Sequence, residues 1–167
     1  MIQRIGRYLD RFPYWQSTLL LAIIANAHKI IALVLVSVAM LISQDARDEI
    51  AKLPEIYVWD GLFLFTALVT APITETLVAQ LLIIWLGLKV GYFRKYPLLI
   101  ILVSTILFAF MHSGFSTMAN AFYVGLVLAY ATYHYLIRGD WVRACWTTVF
   151  IHFFSNLFAY GFRVLIA

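Results

Sequence analysis

The chain has 167 residues, 64% of them apolar and 17% aromatic, with a formal net charge of +4. Together with a mean hydropathy of +0.92, this excludes water as the solvent for most of the surface. Nucleic-acid binding is set aside as well, because the basic residues flank apolar runs and do not cluster beside aromatics on a polar face.

The length suits one domain, and no Gly/Ser-rich, Pro-rich or repetitive segment divides it. The predicted organisation is an interfacial amphipathic helix over 1–16 and a single transmembrane helical bundle over 17–167. Cys145 is the only cysteine, so it cannot form an intrachain disulfide and reads as a small apolar filler.

In chain order, Ile2, Ile5, Leu9 and Phe12 share one helical face, and Arg4, Arg7 and Arg11 another, before Pro13 interrupts the run. That pattern predicts a short helix lying in the headgroup layer. The apolar stretch from Ser17 to Ser43 is too long for a signal-peptide core and reads as a retained span. QDARDEIAKLPE, residues 44–55, reads as a water-exposed loop. The next apolar stretch, Val58 to Leu88, is longer than one perpendicular crossing requires and carries Pro72 near its middle, which fits a tilt, a kink or a half-helix break. Further spans are predicted at Pro97 to His112, Met118 to Leu136 and Trp141 to Ile166, separated by KVGYFRKY, SGFST and IRGD. The expected fold is therefore an all-α, polytopic bundle of about five spans.

On a five-span path, Arg4, Arg7, Arg11, Lys89, Arg94, Lys95, Arg138 and Arg143 fall on one side and the acidic 44–55 loop on the other. The positive-inside rule then places the N-terminus in the cytoplasm and the C-terminus outside.

Ionisable groups at membrane depth are costly, by about 2.5–3.5 kcal/mol each, so each needs a reason. The candidates are His28, Lys29, Glu75, His112, His134 and His152. With a rise of about 1.5 Å per residue from the cytoplasmic ends, Glu75, His112, His152 and Asn156 lie at depths of roughly 20, 23, 15 and 21 Å. Any one intramembrane His taken alone is more often a packing hydrogen bond; four polar residues from three spans at one level point to a site. Thr105, Phe108 and His112 share a helix face, and Thr148, His152, Asn156 and Tyr160 recur every fourth position. His134 lies close to a predicted cytoplasmic end, where an interfacial position explains it. Lys29 is too deep to snorkel easily and calls for a partner inside the bundle, as does His28 beside it.

Three segments carry a family resemblance: APITETLVAQ (71–80), FAFMH (108–112) and HFFSN (152–156). In order and spacing they resemble the motifs A-P-x-x-E-E-x-x-x-R, F-x-x-x-H and H-x-x-x-N/D of the CAAX-protease and bacteriocin-processing (CPBP, or Abi) family of intramembrane peptidases. FYVGLVLAYATY is similar to the G-rich helix between the last two. The likeness covers roughly the C-terminal two-thirds of the chain. Thr76 stands where the family has a second Glu, and Gln80 where it has Arg; the two are four apart, where Glu and Arg would form an ion pair. Changing both to neutral residues avoids a lone buried charge, so Thr76 and Gln80 are expected to be structural, in a supporting role with Phe108.

The resemblance implies hydrolysis of a peptide bond in or next to a membrane segment by a glutamate-activated water. Glu75 would be the general base, His112 would help hold the water, and His152 with Asn156 would donate to the oxyanion. The resemblance implies no metal or other cofactor. Zinc held by Glu75, His112 and His152 with an open fourth position is the rival within the same residues, although the H-E-x-x-H spacing is missing. From other classes, a catalytically silent partner-binding, immunity or scaffold protein is the alternative, and a transporter is disfavoured by a short chain without an inverted repeat. The expected partners are the lipid bilayer and a membrane-anchored peptide or protein substrate, with the anchor of an exported protein preferred. The compact chain is more similar to bacterial members, which implies a bacterial inner membrane. A reporter active only in the cytoplasm, fused after Ala167, is expected to stay silent; a signal from it would reverse the orientation.

Overall fold

The computed structural model describes residues 2–45 and 61–166, and helix is the only regular secondary structure among them. Helix α1 (Ile2–Leu9) stops short of Pro13, and α2 (Tyr14–Ile42) starts directly after it. Proline fits there because the first helical turn needs no N–H from it. The second apolar stretch is α3 (Gly61–Gly87), an unbroken helix through Pro72; Val58 to Asp60, and the loop beyond Asp45, lie outside the described residues. Then follow α4 (Gly91–Lys95), α5 (Pro97–Phe110), α6 (Phe115–Leu136) and α7 (Trp141–Ile166).

Two connections differ from the expectation. KVGYFRKY winds into α4, and α6 begins three residues before Met118. In the second case Gly114 takes a φ of +84°, which glycine adopts without a side-chain clash, and Thr117 Oγ1 donates to the Gly114 carbonyl at 2.8 Å. His112, predicted at the end of a span, lies in the turn just beyond α5.

By length and composition α2 and α3 suffice to cross a membrane, and α5 is a shorter apolar helix. The distribution of polarity points the same way. Leu41, Ile42, Leu62, Phe110, Val142 and Trp146 are exposed, while Thr76, Gln80, Ser104, Thr105, Thr147 and Thr148 are buried. This reverses the pattern of a water-soluble core. Several of the buried hydroxyls are met internally: Thr105 and Thr148 donate to the carbonyls of Ile101 and Ala144, and Thr148 meets Thr132 at 2.8 Å.

Helix α6 packs against α5 and α7, α7 also packs against α2, and α3 lies on α5 and α7. Small side chains allow the close approach: Ala121, Ala129 and Ala131 of α6 are buried. At Gly125 a Cβ would lie 2.8 Å from the Phe108 ring, so only glycine leaves room for it. The N-terminal segment is tied to the other end of α6. Asp10 pairs with Arg138 at 2.7 Å and with His134 at 3.3 Å. Leu9 is buried, and its carbonyl accepts from Ser17 Oγ at 2.8 Å. His134 is thus a buried contact of this segment.

Gly125→Ala is expected to destabilise the bundle by about 1–3 kcal/mol, because Phe108 must shift. A lower thermal midpoint in detergent checks this; an unchanged midpoint would mean that the ring is not confined.

Candidate active site

The site is built on an unusual stretch of α3. Thr66–Thr70 and Thr76–Leu82 are wound as π-helix, on either side of an α-helical turn, Ala71–Glu75. Such windings frequently mark functional positions. In the first of them the Ala71 N–H reaches back to the Thr66 carbonyl. The next donor in that register would serve Ala67, but it belongs to Pro72, which has no N–H. The Ala67 carbonyl is met from another helix, by Asn156 Nδ2 of α7 at 2.8 Å. The proline of the first motif and the asparagine of the third are therefore parts of one local solution.

Glu75 follows directly. Its Oε2 lies 3.8 Å from His112 Nε2 and 3.6 Å from His152 Nε2. Both distances are too long for a direct hydrogen bond. The same Oε2 is buried and has no hydrogen-bond partner among the described residues. Three helices, α3, α5 and α7, thus bring one carboxylate and two imidazoles together.

The two rings are held differently. His112 Nδ1 is 3.0 Å from the Phe108 carbonyl, which can only accept, so Nδ1 carries a proton. His152 is 2% exposed, its Nδ1 meets no partner among the described residues, and its Nε2 faces Glu75. With a proton on His152 Nε2 and none on His112 Nε2, one imidazole would accept toward the carboxylate and the other donate. Phe108 sets both rings, with centroid distances of 4.9 Å to His112 and 5.2 Å to His152.

Of the predicted residues, Glu75, His112, His152 and Phe108 come together directly, and Asn156 joins them through α3. Thr76 and Gln80 are fully buried but do not bond each other, since Thr76 Oγ1 and Gln80 Nε2 both lack partners among the described residues. Gln80 Oε1 instead accepts from Ser104 Oγ at 2.6 Å, a contact to α5. Ser104 was not singled out in the sequence, although it stands one turn before Phe108. Lys29 does find a partner: Ser155, inside the third motif, at 2.6 Å. His28 Nε2 meets Asn120 Oδ1 at 2.7 Å. Among the described residues no group of three His, Cys, Asp or Glu side chains is disposed to hold a metal ion.

Residues 57–158 match the family model described as type II CAAX prenyl endopeptidase Rce1-like. The chain belongs to this family. The match spans Glu75, His112, His152 and Asn156, and leaves out α1 and α2. No curated protein and no solved structure matches the chain. Membership of a family of membrane-embedded proteases, together with the apolar helices, makes this an integral membrane protein related to CAAX-type endopeptidases.

Thr76 is 0% exposed. Thr76→Glu would bury a carboxylate without a cation and is expected to cost about 3–5 kcal/mol, seen as lower yield and thermal midpoint. Thr76→Glu with Gln80→Arg should recover most of the loss. Unchanged yield and midpoint for the single variant would refute the pairing argument for these two positions.

Proposed function

We propose that the chain is an intramembrane endopeptidase that hydrolyses a peptide bond in or near a membrane segment of an anchored or exported protein, using a water activated by Glu75. The observation that carries this reading is the placement of Glu75 Oε2 within 3.8 Å of His112 Nε2 and 3.6 Å of His152 Nε2. A water lodged there gives one hydrogen to Glu75 and the other to the His112 lone pair, which leaves an oxygen lone pair for the scissile carbonyl. Glu75 takes the proton as the O–C bond forms. His152 Nε2–H and the second amide hydrogen of Asn156 face the developing oxyanion. The C–N bond then breaks, and Glu75 passes its proton to the leaving nitrogen. No metal takes part in this scheme.

Five crossings with the N-terminus inside, in a bacterial inner membrane, complete the proposal. The direction of α2 and α7 supports the odd number of crossings. Tyr14 meets Thr147 at 3.0 Å and Lys29 meets Ser155 at 2.8 Å, so the two helices run parallel, as the first and last spans of a five-span path must. An apolar groove of about 570 Å³ between α2, α3 and α7 is lined by Trp15, Leu19, Val69, Ile73 and Phe153. Ile73 and Phe153 belong to the helices that carry Glu75 and His152, so a membrane segment lying in this groove would lie along two of the helices that build the site.

Wild type and Glu75→Gln, in proteoliposomes, are to be incubated with prenylated C-terminal peptides, leader peptides and C-terminal membrane anchors, and cleavage mapped by mass spectrometry. The expected result is cleavage of one class by wild type and a loss of about a hundredfold or more with Glu75→Gln. Activity should survive a strong chelator. Equal cleavage by both proteins would remove Glu75 as base, loss to chelator with recovery on added zinc would favour the metal scheme, and no cleavage of any class would favour the silent partner-binding alternative.

A further inference from the structure

Lys29 lies on α2, outside the 57–158 family match, and is 9% exposed. Its ammonium is met by three neutral acceptors: Ser155 Oγ at 2.6 Å, the Ser155 carbonyl oxygen at 2.8 Å and Asn26 Oδ1 at 3.3 Å. Three acceptors match the three N–H donors of an ammonium, which leaves no lone pair to take a proton from Ser155. Ser155 is therefore an acceptor here and not an activated nucleophile. Asn26 is itself anchored, donating to the Ala22 carbonyl at 2.9 Å.

The carboxylates of the described residues that lie near a basic side chain are Glu75, beside His112 and His152, Asp10, beside His134 and Arg138, and Asp140, beside Arg143; none of these contacts includes Lys29. Among the described residues the charge is thus solvated by dipoles without being neutralised. Its location gives it a use. Ser155 stands three residues after His152 and one before Asn156, on the same turn of α7.

We infer that Lys29 is a positioning residue of the Glu75, His112 and His152 site: it clamps the α7 turn that presents His152 and Asn156, and it holds a fixed positive charge beside them. Its catalytic part rests on the peptidase reading. During hydrolysis negative charge moves from Glu75 toward the carbonyl oxygen, and a positive charge held rigidly nearby stabilises that change without reorganising. Displacing His152 by an ångström would itself cost about a hundredfold in rate.

The full-length chain, labelled with ¹⁵N-histidine and placed in lipid nanodiscs, separates the two readings, since it contains only four histidines. Lys29→Met is expected to displace the ring-nitrogen resonances of His152, assigned from His152→Gln, and to leave those of His134 in place. Ser155→Ala should move them in the same direction by less, and supplies the readout if Lys29→Met does not fold. On whichever of the anchored peptides wild type cleaves, Lys29→Met should lower kcat about tenfold to a hundredfold while KM stays within about twofold, and Lys29→Arg should recover part of the loss. His152 resonances unmoved in both variants would overturn the inference. So would cleavage by Lys29→Met at the wild-type rate where Glu75→Gln is inactive. If wild type and Glu75→Gln behave alike on the peptides, the peptidase reading fails and the His152 resonances alone decide whether Lys29 positions that ring.

Discussion

In a hydrocarbon layer a polar group has few partners outside the protein itself, so buried donors and acceptors of this bundle are met mainly within their own helix or by another. That requirement explains how the elements sit. Pro72 leaves the Ala67 carbonyl without its backbone donor, and Asn156 crosses from α7 to supply one at 2.8 Å. Ser104 reaches from α5 to the Ala79 carbonyl and to Gln80, both at 2.6 Å. Lys29 reaches from α2 to Ser155. Each contact fixes the rotation of one helix against another, which apolar packing alone does weakly when the surrounding solvent is equally apolar.

Glu75 is one point at which this scheme is left open, as are Thr76 Oγ1 and Gln80 Nε2 on the same helix. The Glu75 Oε2 is buried, within 3.8 Å of two imidazoles, and without a direct hydrogen bond among the described residues. The hydroxyls of Thr105 and Thr148 close on nearby carbonyls. On the proposed reading the Glu75 acceptor, set between one ring that accepts and one that donates, binds and polarises the attacking water. The aromatic face of Phe108, kept in position by Gly125, holds both rings at their angles.

Much of this was legible in the sequence because the strongest signals were compositional. Long apolar runs bounded by charges gave the helices from Pro97 and Trp141 and the span expected from Ser17, which begins at Tyr14, and regular spacing put Glu75, His112 and His152 at roughly similar depths. What stayed illegible depends on helix rotation and winding. The π-helical stretches around Glu75 have no marker beyond Pro72, and they decide that Asn156 meets Ala67. Lys29 was visible as a residue needing a partner, but Ser155 is neutral, and charge pairing could not identify it. The short helix over Gly91–Lys95 was missed because its basic and aromatic residues read as a connection.

The central claim is that the two histidines beside Glu75 carry their protons on opposite nitrogens, one ring accepting and the other donating toward the carboxylate. Tautomer-resolved ¹⁵N spectra of the full-length chain in nanodiscs at neutral pH test it directly. The account predicts a protonated Nδ1 and a bare Nε2 for His112, with the reverse for His152. The same tautomer at both rings, or either ring doubly protonated, would contradict it.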